Sequence, residues 1–336
     1  MLRFVLRRLL QMAGVMIVLS FLIFAWLRAL PGGPVSAILG ERATPATRAA
    51  LEKTFGLDRP VWEQYLLFLD RIAHGNFGAS IRVQAGTDAL EIFFDRLPGT
   101  MELTAFALTI AISIGIPLGY LAARRRATFL DNASIITSLV GIAVPVFFLA
   151  FLLKYVFAVQ LGWLPVSGRQ TPTIDATHVT NFFILDGLLT GEYDASWDAF
   201  LHLILPGIAL SSIPFAYIFR ITRASVLEVL DEDYVRTAEA KGLTSRVIRG
   251  RHVLRNALLP VTTIIGLQVG GLLAGAVLTE RVFSFRGVGD ALAVAATERD
   301  YAVLQMLIIA AAGVYVVVNL LVDIAYAVID PRVRTR

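Results

Sequence analysis

The residues of this chain that could do chemistry are few, and the most suggestive group is built for mechanical work. Asp231-Glu232-Asp233-Tyr234-Val235-Arg236-Thr237-Ala238-Glu239-Ala240-Lys241-Gly242 reads as a short helix over Asp233–Lys241. Asp231, Glu232 and Asp233 favour a helix N-terminus, and Gly242 breaks the helix at its other end. A second helix is predicted from Thr244 or Ser245, carrying Arg249, Arg251 and Arg255. Gly242 supplies a sharp reversal, or a close backbone approach, that a side chain would obstruct, so a bulky residue there is expected to splay the two helices. A soluble domain gripping such a handle could convert its own closure into tilting of the helices on either side. A plain basic loop at a membrane surface would carry the same charges with no such role.

Other chemistries find little support. The four histidines, His74, His178, His202 and His252, are dispersed, and cysteine is absent, which removes disulfides, thiolate chemistry and Cys-ligated metals. No GxxxxGK[ST] loop is present to cradle nucleotide phosphates. An intramembrane protease or lipid-processing enzyme would need a paired nucleophile and base, or a metal cluster, within an apolar belt, and no such constellation is visible. Arg28, Lys154, His202 and Asp323 fall near the ends of apolar runs, where they can snorkel or pair. With no carboxylate or histidine deep in a run, an ion-coupled transporter has nothing to bind its ion, so an energy source is expected in another subunit. The expectation is therefore no catalytic residue, no cofactor and no metal on this chain.

The elements that must position the handle are apolar runs. Leu103–Ala123, Ala133–Leu153, Ala199–Phe219, Asn256–Thr279 and Tyr301–Val322 lack charge and are each at least 21 residues long, and Leu9–Leu27 adds a sixth of 19. Each can cross a bilayer as a helix. With 57% apolar residues and a mean hydropathy of +0.70, the chain reads as an all-α polytopic membrane protein of six transmembrane helices. Arg3, Arg7 and Arg8, then Arg124, Arg125 and Arg126, then Arg220 and Arg223, then Arg332, Arg334 and Arg336 share one side if both termini are cytoplasmic. That side counts 17 Lys/Arg against 7 Asp/Glu and the other 11 against 18, with Arg28, Lys154 and Asp323 set aside. The net charge of +4 is thus a membrane-boundary effect and no sign of nucleic acid. The first run exceeds a signal-peptide core, and Leu30-Pro31-Gly32-Gly33-Pro34 has no small-x-small cleavage site, so it is expected to stay as an anchor.

Residues 1–30 then form the N-terminal end and first helix, 31–99 a helical extracytoplasmic insertion, 100–330 a five-helix core containing the loop 221–258, and 331–336 a cytoplasmic tail. Within the insertion, helices are expected from Thr44-Pro45 to about Phe55, from Pro60 with Trp62, Tyr65, Leu66 and Leu69 on one face, and over Asp88–Leu97 with Leu90, Phe93, Phe94 and Leu97 apolar. Pro117, beside Gly115 and Gly119, and Pro145, beside Gly141, are expected to kink the second and third helices and are candidate gating points. The loop 162–198 carries Asp175, Asp186, Glu192, Asp194 and Asp198, available to a soluble partner or simply solvated.

Tyr234–Gly242 with Asn256-Ala257-Leu258-Leu259-Pro260 resembles the EAA loop of permease subunits in ABC-type importers, specifically the DppB/OppB-type subunits of the dipeptide/oligopeptide/nickel family. Aligned on Gly242, the three starting positions of that motif are Arg236, Thr237 and Ala238, so arginine replaces the usual glutamate. Pro31–Pro34, Phe55–Pro60, Gly75–Gly78, Arg96–Leu103, Gly115–Gly119, Phe283–Leu292 and Asp323–Arg332 extend the resemblance over nearly the whole chain. The resemblance implies a type I importer permease: half of a translocation pathway paired with a homologous permease, surrounded by membrane lipid and served by an extracytoplasmic peptide-binding protein. Two ATPase domains, separate or fused, would bind ATP and Mg and dock on Asp233, Tyr234, Arg236, Thr237, Ala238, Glu239, Ala240, Lys241 and Gly242. The implied cargo is short peptides. A nickel or metal-chelate permease of the same family, an intramembrane enzyme and a channel are the competing readings.

Overall fold

The computed structural model describes residues 2–29, 44, 46, 59–174 and 176–329. The helix expected from Thr44 to Phe55, the motif Pro31–Pro34, Asp175 and the tail 331–336 lie outside the described residues, as does the side chain of Asp323. The described chain is helical: α1 Leu2–Ala29, α2 Val61–Ala73, α3 Ala89–Arg124, α4 Phe129–Ala143, α5 Val146–Leu153, α6 Phe183–Thr190, α7 Tyr193–Leu230, α8 Asp233–Ala240, α9 Arg255–Phe283, α10 Val288–Thr297 and α11 Tyr301–Ile329. An isolated antiparallel bridge, Ala79 to Asp88, is the sole β pairing among the described residues.

Among the described residues, five helices are long and apolar enough to cross a membrane, within Leu6–Ala29, Ala89–Arg124, Tyr193–Leu230, Ser245–Leu273 and Tyr301–Val322. The count reaches six only if α4 and the segment Val146–Gln160 are taken together, and these are bent by 106° at their junction. The expected third span, Ala133–Leu153, is therefore a broken helix and not a kinked one. Proline pushes the residue before it out of the α region, and Val144 sits at φ −83°, ψ 123°, so α4 ends there and Pro145 caps a new helix. Pro117, by contrast, lies inside an uninterrupted α3.

The chain forms two compact units, 1–98 with 286–336, and 99–285. In the first, α1 packs on α2 and α11 through Ile23, Phe24, Leu27, Phe68 and Ile309. The buried face of α2 is Gln64 and Phe68, with Tyr65 and Ile72 alongside, whereas Trp62 and Leu66 point outward, contrary to the apolar stripe expected there. Polar matching selects this face: Gln64 accepts from Arg28, and the Tyr65 hydroxyl lies 2.9 Å from Ser20 Oγ. The amphipathic piece over Asp88–Leu97 is no separate helix but the first turns of α3, and Ala89, Ile92 and Phe93 pack with Val288, Ala291, Val303 and Leu307 of α10 and α11.

In the second unit α7 is central, touching α4, α5, α6 and α9. Gly115 and Gly119 bring α3 against it. A Cβ on Gly119 would lie 2.7 Å from the Phe219 carbonyl oxygen, and one on Gly115 would lie 3.0 Å from Ile218. This is small-residue packing of the kind that lets membrane helices approach closely.

Candidate functional site

The segment between α7 and α9 begins where α7 stops at Leu230. Val235 and Ala238, three residues apart and so on one helical face, are both buried. They pack with Ala123 of α3, Val226 of α7, Ala257 of α9, and Ile248 and Val253 of the lead-in to α9. Burying the Val235 side chain contributes roughly 1.5–3 kcal/mol. That small apolar anchor ties the short helix to the ends of three long ones.

The rest of the helix faces outward. Asp233, Tyr234, Arg236, Thr237, Glu239, Ala240, Lys241 and Gly242 are exposed, as are Leu243 and Val247 beyond them. Arg236 lies 3.6 Å from Asp233 along the helix, and Thr237 Oγ1 donates to the Asp233 carbonyl at 2.8 Å. Tyr234 is held from the side: Asn256 Nδ2 donates to its hydroxyl at 3.1 Å and to the His252 carbonyl at 2.8 Å. Asn256 thus joins the first turn of α9 to the exposed helix.

Gly242 closes α8. Its N–H donates to the Glu239 carbonyl at 2.9 Å and the Leu243 N–H to that of Ala238 at 3.3 Å, the paired bonds of a Schellman cap. Gly242 adopts φ +72°, a left-handed conformation that costs an L-residue about 1–2 kcal/mol. A Cβ built there meets nothing within 4 Å. The glycine is needed for backbone conformation, and the expected close approach is absent. Helix resumes at Ser245, with Thr244 extended before it, and runs through π-helical Ile248–Leu254 into α9.

Residues 115–335 match the family described as binding-protein-dependent transport system inner membrane component, and residues 1–104 match its N-terminal companion family. The chain is 42% identical over 334 residues to a dipeptide transport system permease protein DppB of Alkalihalophilus pseudofirmus, covering 99% of this chain and all of that one. It is 43% identical over 338 residues to the protein of the same name in Escherichia coli K12, with 99% of each chain covered. An oligopeptide transport system permease protein AppB of Bacillus subtilis is 35% identical over 98% of each chain. The chain belongs to this family of transport permeases, in its DppB/OppB-type branch. It is a multi-pass membrane protein.

Several charged groups of the permease are internal fasteners with partners that no local pattern predicts. Asp131 at the start of α4 takes a bidentate grip from Arg223 of α7, with Nε to Oδ1 at 2.6 Å and Nη2 to Oδ2 at 2.8 Å. Buried Arg169 donates to Glu102 at 2.6 Å and to the Asn181 carbonyl at 2.8 Å while lying over the Phe183 ring. Thr100 donates to the fully buried Glu280 at 2.7 Å. In the other unit, Asp300 Oδ2 accepts from Ser80 Oγ and from the consecutive N–H groups of Ile81, Arg82 and Val83, all within 3.1 Å. Among the residues near the ends of the apolar runs, Lys154 donates to the Val282 carbonyl and His202 Nδ1 lies 2.9 Å from the Asp198 carbonyl oxygen. Separation in sequence hid most of these pairs.

The acidic loop 162–198 is likewise closed on itself. Thr171 donates through N–H and hydroxyl to Asp198, Thr177 in the same way to Glu192, and Thr180 to Asp186. The two Thr177 bonds hold the Glu192 carboxyl below the usual glutamate range. Asp194 remains exposed. No group of three His, Asp or Glu side chains among the described residues is arranged to hold a metal ion.

Proposed function

We propose that this chain is the membrane-spanning subunit of an ATP-driven importer of dipeptides and oligopeptides, forming half of the passage with a homologous permease. The observation that carries the coupling role is the exposed helix Asp233–Ala240, anchored through Val235 and Ala238 to the ends of α3, α7 and α9. The peptide cargo is supported by the names of the relatives, all transport permeases for dipeptides or oligopeptides. The excess of basic residues supports a cytoplasmic position for both termini and for this helix, where ATPase domains would meet it.

In this reading the permease supplies no catalytic group. ATP and Mg bind on the partner ATPases, whose closure displaces α8. Because α8 is packed on the ends of α7 and α9, the displacement passes to both helices as a rigid-body movement. Tyr234 and Asn256 stiffen the joint between α8 and α9, and the Gly242 cap fixes the angle at which the chain leaves the handle. The 106° break at Pro145 supports a hinge there, while Pro117 is the weaker gating point because α3 continues through it. An external binding protein delivers the peptide.

The test is uptake into vesicles containing this chain, its paired permease, the ATPases and the binding protein. Labelled di- to pentapeptides should accumulate when ATP is supplied, and free nickel or its chelate should not. Metal accumulation without peptide uptake would overturn the cargo assignment.

A further inference from the structure

We propose that the turn between α3 and α4 is a binding site for an anionic phospholipid, with Arg124, Arg125 and Arg126 on the headgroup phosphate and the outer face of α4 along an acyl chain. All three arginines are exposed, and none is paired to a carboxylate among the described residues. The turn presenting them is fixed. Arg125 N–H donates to the Leu121 carbonyl at 3.0 Å, Thr128 Oγ1 to the Arg125 carbonyl at 2.6 Å, and the Ala127 N–H to Asp131 Oδ2 at 3.0 Å, with Ala127 at φ +62°. The nearby carboxylate is largely consumed: Asp131 is 2% exposed and clamped by Arg223, and its weaker electrostatic interaction with Arg126 leaves most of the cluster's charge uncancelled.

The apolar surface that continues from the cluster decides the kind of ligand. Phe129, the first residue of α4, is 88% exposed, and Ile136 and Val140 are exposed at 61% and 53%. Positions 129, 136 and 140 recur on one helical face and cover about 16 Å at 1.5 Å per residue. That matches roughly half of a hydrocarbon core of about 30 Å. A cationic end joined to an apolar stripe of acyl-chain length complements a phospholipid, whereas a free phosphate would use the arginines alone. The fastening of the turn to α7 through Asp131 and Arg223 makes the occupied site a brace between α3, α4 and α7.

The test is retention of phosphatidylglycerol by the purified full-length protein in phosphatidylcholine micelles, read by native mass spectrometry. Each basic side chain at an anionic surface is worth roughly fivefold in binding, so R124Q/R125Q/R126Q should weaken retention about a hundredfold. The triple lysine variant should keep most of it, and R246Q/R249Q/R251Q, which removes three exposed basic groups elsewhere, should leave it unchanged. Phe129→Ala alters no charge, so it carries the test even if the glutamine variant fails to insert. It should weaken phosphatidylglycerol severalfold and leave glycerol phosphate unaffected. Four results would overturn the proposal: unchanged retention in the folded Phe129→Ala variant, equal loss in the control triple, displacement of the lipid by equimolar glycerol phosphate, or loss of ATPase assembly with lipid retention intact. The last would assign the arginines to a protein partner.

Discussion

The loop 162–198 and the segment 231–255 are both polar, both adjoin the long helix α7, and use their charges in opposite ways. In the first, Arg169 is spent on Glu102, and Asp186, Glu192 and Asp198 are spent on threonines of the same loop. In the second, Asp233, Arg236, Glu239 and Lys241 stay at the surface, and the fold is secured by Val235, Ala238 and a glycine cap. Charge that closes on itself fixes shape. Charge left outward beside an apolar anchor is available to a partner, and only the second segment has that design.

The largest way to break this contrast is at Arg169. Arg169→Leu leaves Glu102, whose side chain is only 11% exposed, without its cation and should cost up to about 3–5 kcal/mol, seen as a lowered midpoint of thermal unfolding in detergent. The double variant Glu102→Leu with Arg169→Leu should recover most of the loss, because no uncompensated charge remains. A neutral outcome for the single variant would mean the pair does not fasten the loop.

The handle should respond more mildly. Val235→Ala removes two methyl-sized groups from the anchor and should cost about 1.6 kcal/mol locally. Amide exchange should rise in α8 and not in the loop 162–198. Gly242→Ala should cost about 1–2 kcal/mol through its left-handed φ. Since no atom lies within 4 Å of a Cβ there, Gly242→Trp should cost the same as alanine in the isolated chain. A much larger loss for tryptophan would restore the close-approach reading.

Smaller still are effects at the outward face. Arg236→Gln and Lys241→Gln should change stability by less than about 0.5 kcal/mol while lowering ATP-driven uptake, which separates a partner surface from a structural one. The Glu192 carboxyl, held low by Thr177, gives a pH test of the other region. Its folded pKa lies below the unfolded value, so its stabilisation is present above the ordinary glutamate range and is lost as pH falls through the folded pKa. Protection of the Thr177 amide should be flat between pH 8 and pH 5 and should collapse only in more acidic solution.

What the sequence disclosed follows from range. Apolar runs, the short helix and its glycine are local patterns, legible from neighbouring residues alone. Val235 and Ala238 carried a readable signal as well, two apolar residues three apart in an otherwise polar helix. Pro145 marked a kink, and the full break with its 106° bend exceeds what the local pattern predicts. The pairs Asp131 with Arg223, Glu102 with Arg169 and Ser80 with Asp300 join residues far apart in the chain, and no local pattern links them. The face of α2 departs from its apolar pattern for the same reason: Gln64 is buried where it meets Arg28 of another helix.

The most direct test of the central claim uses the absence of native cysteine. Single cysteines at Val235, Arg236, Ala238 and Glu239 would be cross-linked in the assembled transporter with a short thiol-to-amine reagent. The account predicts ATPase adducts from positions 236 and 239 and little from 235 and 238, whose side chains face α3, α7 and α9. Adducts of equal yield from all four positions, or none from any in a complex that still transports, would contradict it.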